Sequence, residues 1–251
     1  MTGIAALIYL FLYAPIFVLI LFSFENSRLA VHWTGFTLKW YAQLFTDQTL
    51  GLALMNSLIV AFFAVAFSGV MGTMAAVGLS RLKFSGKGLY RGLILLPMII
   101  PEIAMAVSAL TLFVALGLSL CLATIIVSHI VFCVAYVTLT VMGRLEGIDP
   151  RLEEAAQDLG ASPLMAFFRV TLPLLMPGIV AGCLLAFVLS LDDFVITQFT
   201  AGVGSTTLPL RIYSLVKFGV SPEINALSTL MIIVTVALTL VSELIARKKV
   251  A

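Results

Sequence analysis

Three carboxylates, Glu102, Asp192 and Asp193, stand well inside long apolar runs of this chain, with Glu243 close to the end of the last run, and every Lys and Arg falls outside those runs. A charged side chain at the centre of a spanning helix costs about 2.5–3.5 kcal/mol on insertion scales. Three of them without a basic residue in the same runs call for a compensating positive charge, and a passing cation supplies one. On a straight helix rising ~1.5 Å per residue, Glu102 sits about 15 Å from the cytoplasmic end of its run. The aspartates lie further toward the outside, so the three make a ladder of negative charge along a path. A structural reading competes with this one: either aspartate can cap backbone or bond a neighbouring helix, and Pro97 and Pro101 make Glu102 the mark of a kink or break. Carbonyls freed there would also attract cations. Ser190, two residues before Asp192, is placed to bond a solute or its own helix. His129 reads as an interhelical hydrogen-bonding residue ahead of a proton relay. Phe194 and Phe199 would bring rings near the aspartates.

The elements that position these residues are set by composition. The chain is 62% hydrophobic and 10% charged, with a mean hydropathy of +1.18, too apolar for a soluble domain to cover itself. A spanning helix needs roughly 20 apolar residues. Six runs qualify: Ile4 to Phe24, Leu52 to Ser80, Leu93 to Leu116, Leu118 to Met142, Leu174 to Thr197 and Ala226 to Ala246. They predict an all-α integral membrane protein of six transmembrane helices. Residues 1–51 hold the first helix and an outer loop, 52–246 a core, and 247–251 a cytoplasmic tail. The first run is longer than a signal-peptide core and has neither basic flank nor cleavage site, so it reads as an anchor that stays.

Short cytoplasmic loops collect Lys and Arg. Arg81, Lys83, Lys87, Arg91, Arg144, Arg151, Arg169, Arg247, Lys248 and Lys249 fall on one side, against Arg28, Lys39, Arg211 and Lys217 on the other. This predicts cytoplasmic N and C termini. Of the outward loops, Glu25 to Gly51 and Ala201 to Asn225, the second reads as irregular backbone. The link around Gly117 is short enough to make its two helices antiparallel neighbours. Trp40 and Tyr213 in the outward loops read as an interfacial aromatic belt or as rings at the outer mouth of a path. Glu243 is at pairing distance in sequence from Arg247. Cys121, Cys133 and Cys183 have no His or Cys at ligand spacing, so neither a metal site nor a disulfide framework is expected. A net charge of +2 is too small to imply nucleic acid.

Between the fourth and fifth runs, local chemistry predicts two short helices. Asp149 caps the first, Pro150 opens it, and Glu153 and Glu154 complement its positive end. Gly160 suits its C-terminal cap, and Ser162-Pro163 restarts a second helix. Leu152, Ala155, Ala156 and Leu159 fall at i, i+3, i+4 and i+7, forming a small apolar stripe that needs a groove to lie in. A lipid-surface helix would favour larger apolar residues and basic flanks, whereas this helix is acidic outside its stripe.

Glu154-Ala155-Ala156, then Gly160 and Val170-x-Leu172-Pro173, resembles the EAA signature of permeases of binding-protein-dependent ABC importers, with Val170 where Ile is commoner. The resemblance covers the second to sixth runs. It implies a type I importer permease (MetI-like) architecture in the bacterial cytoplasmic (inner) membrane. In that family the loop, residues 143–173 here, forms the coupling helix, which assigns ATPase coupling to Leu152, Glu154, Ala155, Ala156, Asp158, Leu159 and Gly160. The implied partners are an ATPase subunit dimer, a second and different permease subunit, an external substrate-binding protein, and membrane lipid. No cofactor is expected on this chain, since ATP and Mg are used by the ATPase subunits.

Leu189 to Ile196, Thr206-Thr207-Leu208-Pro209 and Pro222 to Leu227 are similar to the spermidine/putrescine (PotC and PotI type) subfamily, although permeases for iron or thiamine share parts of the pattern. A polyamine carries ammonium groups spaced along methylenes, so its recognition calls for separated carboxylates with aromatic faces between them. Glu102, Ser190, Asp192, Asp193, Phe194, Trp40 and Tyr213 are then the expected substrate path. Pro173 and Pro177 would fix the angle at which the loop joins the pore helix.

Ser85-Gly86-Lys87-Gly88 lacks the upstream Gly and the hydroxyl of a phosphate-binding loop, so the chain is not expected to hydrolyse ATP. Neither G-x-S-x-G nor H-E-x-x-H occurs. Adjacent aspartates on one helix point different ways, which disfavours an intramembrane aspartyl enzyme. An ion-coupled carrier working alone remains the other alternative.

Overall fold

The computed structural model describes residues 2–27, 33–217, 219 and 221–247. Arg28, Lys248 and Lys249 of the charge comparison, and the side chains of the Glu243–Arg247 pair, lie outside what is described. Lipid offers backbone N–H and C=O groups no partners, so the apolar runs satisfy them internally as helices. In chain order these are α1 (Thr2–Phe22), α2 (Lys39–Leu44), α3 (Gln48–Arg81), α4 (Lys87–Leu95), α5 (Glu102–Ala115), α6 (Leu122–Glu146), α7 (Arg151–Asp158), α8 (Pro163–Ala166), α9 (Leu172–Asp192), α10 (Val195–Thr200), α11 (Leu208–Val216) and α12 (Pro222–Arg247). Extended pairing among the described residues amounts to one bridge, Glu25 with Phe36.

Among the described residues, five helical segments are long and apolar enough to cross a membrane: Ile4–Phe22, Gln48–Arg81, Leu122–Glu146, Pro163–Asp192 and Pro222–Val241. The sixth candidate is a broken pair, Lys87–Met98 and Glu102–Ala115, bent by 102°. Proline causes the break. Pro97 lies in the 3-10 turn Leu96–Met98 that ends the first half, and Pro101 takes an extended ψ of 133° before α5 starts. The break falls where Pro97 and Pro101 predicted one, and its size corrects the depth of Glu102, which was counted along a single straight axis.

The fifth run is also interrupted. α9 stops at Asp192, Asp193 turns out of the helix with ψ 125°, and the residues to Thr197 and beyond belong to a separate helix, α10. The loop 201–225 is not irregular throughout either, because Pro209 opens α11 in its first turn. α5 packs mainly on α10, whereas α6 runs along α9.

Two compact units divide the chain, one formed by 1–55 with 206–237 and the other by 56–205 with 238–251. The first is built around Trp40, Leu44, Leu50, Leu208 and Leu227. The second is built around Phe132, Val137, Val141, Leu175 and Ile196, and it holds both the membrane carboxylates and the loop from α6 to α9. Within it Gly202 meets the link before α6 so closely that a Cβ would fall 1.7 Å from the Leu120 carbonyl oxygen.

Candidate functional site

A cavity of about 270 Å³ opens where the two broken spans meet, lined by Pro97, Glu102, Tyr136, Asp192, Asp193 and Phe194 among others. Glu102 is the first residue of α5 and exposed, where the positive end of the helix eases its charge. Asp192 is the last residue of α9 and exposed. There it adds to the partial negative charge of the helix terminus, so this end of the cavity favours a cation.

Asp193 has a different occupation. Its side chain is 6% exposed, and it accepts hydrogen bonds from Ile196 N (3.3 Å), Thr197 N (2.9 Å) and Thr197 Oγ1 (2.8 Å). It therefore caps α10, as the structural alternative foresaw for one of the pair. His129, buried on α6, lies 3.2 Å from the same carboxylate. Its other ring nitrogen is 2.8 Å from Ser190 Oγ. Ser190 is buried and bonded to a neighbouring helix, a partner that sequence spacing did not offer.

Phe194 lines the cavity, while Phe199 packs against the core. Trp40 is 6% exposed in the other unit, and its indole N–H donates to the Glu25 carbonyl at 2.7 Å. Tyr213, on α11 of that unit, is 52% exposed. Tyr136 and Phe132 are cavity residues that the sequence reading missed. The available signal was spacing, since Phe132 and Tyr136 follow His129 at i+3 and i+7 on α6.

The loop between α6 and α9 forms as its cap residues dictate. Asp149 Oδ1 accepts from Arg151 N at 2.9 Å, and regular helix starts at Arg151, one residue past the expected Pro150. Gly160 ends the turn with φ +91°, and Ala161 N reaches back to Ala156 O at 3.1 Å. Ser162 Oγ accepts from Met165 N at the start of α8. A π-type stretch, Phe167–Thr171, then leads into α9 without a gap. Leu172 N bonds Phe167 O there, and the missing N–H of Pro173 gives the ladder a local reason to widen.

No residue of α7 is buried. Leu152 is 49% and Leu159 91% exposed, Glu154, Ala155, Asp158 and Gly160 are exposed, and Ala156 is half-buried. The apolar stripe thus has no cover from the described residues of this chain. What holds α7 from behind is Glu153, 2.5 Å from Arg81 at the end of α3. Thr171 Oγ1 donates to Glu153 at 2.5 Å and accepts from Arg81 at 3.1 Å. Arg81 and Glu153 were each assigned a local role by sequence, and their pairing was not foreseen.

Fold and site together define a multi-pass helical membrane protein with a carboxylate-lined cavity at two helix breaks and an uncovered helical loop. Residues 68–248 match the family described as binding-protein-dependent transport system inner membrane component. The chain is 45% identical over 241 residues to the spermidine/putrescine transport system permease protein PotC of Haemophilus influenzae, covering 96% of this chain and 94% of that one. It is 44% identical over 229 residues to the putrescine transport system permease protein PotI of Escherichia coli K12, covering 88% and 82%. The chain belongs to this family of inner membrane transport components.

Solved structures share its fold. A bacterial ABC transporter involved in import of the acidic polysaccharide alginate superposes with a TM-score of 0.76 at 18% identity, over 100% of this chain and 95% of that one. An inward-facing form of the MetNI methionine ABC transporter gives 0.64 at 20% identity, over 84% and 98%.

Proposed function

We propose that this chain is a permease subunit of an ATP-driven polyamine importer and forms part of its translocation path. The observation that carries the reading is the cavity in which Glu102 and Asp192 stand at opposed helix ends with Tyr136 and Phe194 on the wall. Separated carboxylates hold the ammonium groups of a polyamine, and aromatic faces take the methylenes and the charge between them. Asp193 serves the wall from behind, and Tyr213 and Trp40 contribute to the outer portion of the chain. Relatives named for spermidine and putrescine support the substrate class.

The uncovered α7 docks on an ATPase subunit, one of a pair that binds and hydrolyses ATP with Mg. A second, different permease subunit completes the pore, an external binding protein delivers the solute, and both termini lie in the cytoplasm. Motion of α7 reaches Asp192 because the loop is continuous with α9, which ends at that residue.

The test is uptake of labelled spermidine and putrescine by the assembled importer carrying Glu102→Gln or Asp192→Asn. Each variant is expected to lose at least tenfold in uptake at normal membrane levels. Unchanged uptake in both would remove the cationic path.

A further inference from the structure

α4 and the loop before it carry positive charge that the fold leaves unanswered. From Leu82 to Pro101 the sequence has Lys83, Lys87 and Arg91 and no Asp or Glu. Lys83 and Arg91 are exposed and Lys87 is half-buried, and none of the three forms an ion pair among the described residues. The elements that pack mainly on α4 are the 3-10 turn Leu96–Met98, which has no ionisable residue, and α6, which carries His129, Cys133, Tyr136, Arg144 and Glu146. Glu146, the one carboxylate in that set, is in no ion pair among the described residues either. Other cations near these helix ends are occupied. Arg81 is held by Glu153, and Arg144 Nε donates to the Leu174 carbonyl at 3.2 Å.

Each residue of a helix advances about 100° around its axis. Lys87 and Arg91 therefore share one side of α4, and Leu89 and Leu93 lie roughly opposite. Leu89 is 71% and Leu93 57% exposed. On one flank between these rows stand Gly88 and Gly92, where an added Cβ would meet nothing within 4 Å. Ile94 packs against the core on the other flank. Leu82 and Phe84, just before the helix, extend the uncovered apolar surface. Unpaired cations, an open flank and uncovered leucines thus run side by side. An acidic protein surface matches the cations but sets carboxylates beside the leucines. A zwitterionic lipid covers the leucines but brings an ammonium with each phosphate. A phospholipid of net negative charge satisfies both rows, with its headgroup on the cations and its chains on the leucines.

We propose that α4 and residues 82–86 form a binding site for an anionic phospholipid, its phosphate held by Lys83, Lys87 and Arg91. Each cation at an anionic membrane surface favours association about fivefold, so three favour it on the order of a hundredfold before screening. The site is independent of which solute the chain carries. α4 runs through the 3-10 turn to Pro97 on the cavity wall, so the bound lipid braces that wall from its foot.

The test is photolabelling of the assembled importer in nanodiscs of phosphatidylcholine doped with either phosphatidylglycerol or phosphatidylcholine bearing the same diazirine chain, with the labelled peptides mapped by mass spectrometry. Wild-type residues 82–95 are expected to take at least tenfold more label from phosphatidylglycerol, and added salt should reduce that excess as the charges are screened. The Lys83→Gln, Lys87→Gln, Arg91→Gln triple variant should fall to the phosphatidylcholine level. Arg169→Gln, an exposed cation outside the site, should keep the excess. The wild-type comparison and its salt dependence decide the matter even if the triple variant fails to insert. Equal labelling by the two lipids, an excess that survives in the triple variant, or an excess lost equally in Arg169→Gln overturns the proposal. Labelling by neither lipid also overturns it, because the face would then be covered by protein.

Discussion

The link between α3 and the exposed loop can be measured by removing Arg81 and Glu153 singly and together. The two charges are 2.5 Å apart with side-chain exposures of 33% and 16%, and Thr171 bonds to both. A fully exposed ion pair is worth about 0–1 kcal/mol, and a hydrogen bond to a charged group about 1.5–3 kcal/mol. With a third of the arginine in water, screening takes the upper range down, leaving a coupling of roughly 1–1.5 kcal/mol. Hydrogen exchange of the Leu152 to Gly160 amides reports the local opening of α7 without unfolding the spans.

In Arg81→Gln, Glu153→Gln and the double variant, the cycle should return that coupling, with amides exchanging roughly tenfold faster in each single variant. Assembled importers carrying either change should also hydrolyse more ATP per solute moved, because α7 would no longer be braced against α3. A coupling below about 0.3 kcal/mol, the ordinary additivity error, would refute the idea that this pair fixes the loop.

Other consequences are local. Gly160→Ala forces a side chain into φ +91°, a cost of roughly 1–2 kcal/mol, and should lower ATPase association in pull-down while membrane levels stay normal. Gly202→Ala places a Cβ 1.7 Å from the Leu120 carbonyl oxygen, so the chain should fail to accumulate in the membrane, as an immunoblot would show. Glu25 is buried. Burial alone would raise its pKa, but donors from Ser27 and Thr34 outweigh it and hold the carboxyl below its ordinary value. A lowered carboxylate pKa stabilises above the unfolded value and loses that effect as pH falls through the folded one. The segment around Trp40 should therefore loosen only below about pH 4.3, read as a red shift of tryptophan emission, and Glu25→Gln should abolish that dependence.

How much of this was legible in the sequence differs by element. The loop was readable almost to the residue, because Gly160, Ser162 and Pro163 act on backbone within a turn of themselves. The apolar runs were readable too, but hydropathy counts composition and carries no direction. It therefore drew one run, Leu93 to Leu116, across what the structure bends by 102°, and carried the fifth run through Asp193. Pro97 and Pro101 announced a break and left its angle open.

The site was half legible. Carboxylates in apolar runs stood out by their cost, yet Asp192 and Asp193 are chemically identical neighbours. Only the extended ψ at Asp193 sends one to the helix cap and His129 and leaves the other on the cavity. Trp40 looked like an interfacial ring because loops with Trp often are, and the Glu25 carbonyl that takes its N–H is too distant in sequence to be inferred. The pairing of Arg81 with Glu153 joins two helices that only the fold brings together.

The most direct measurement of an ATP-powered cation path is uptake of labelled spermidine by vesicles holding the assembled importer, with ATP and the proton gradient varied separately. Uptake is expected to persist with an uncoupler and to cease when ATP is depleted. Uptake that collapses with the gradient and continues without ATP would contradict a path opened through α7 and leave an ion-coupled carrier in its place.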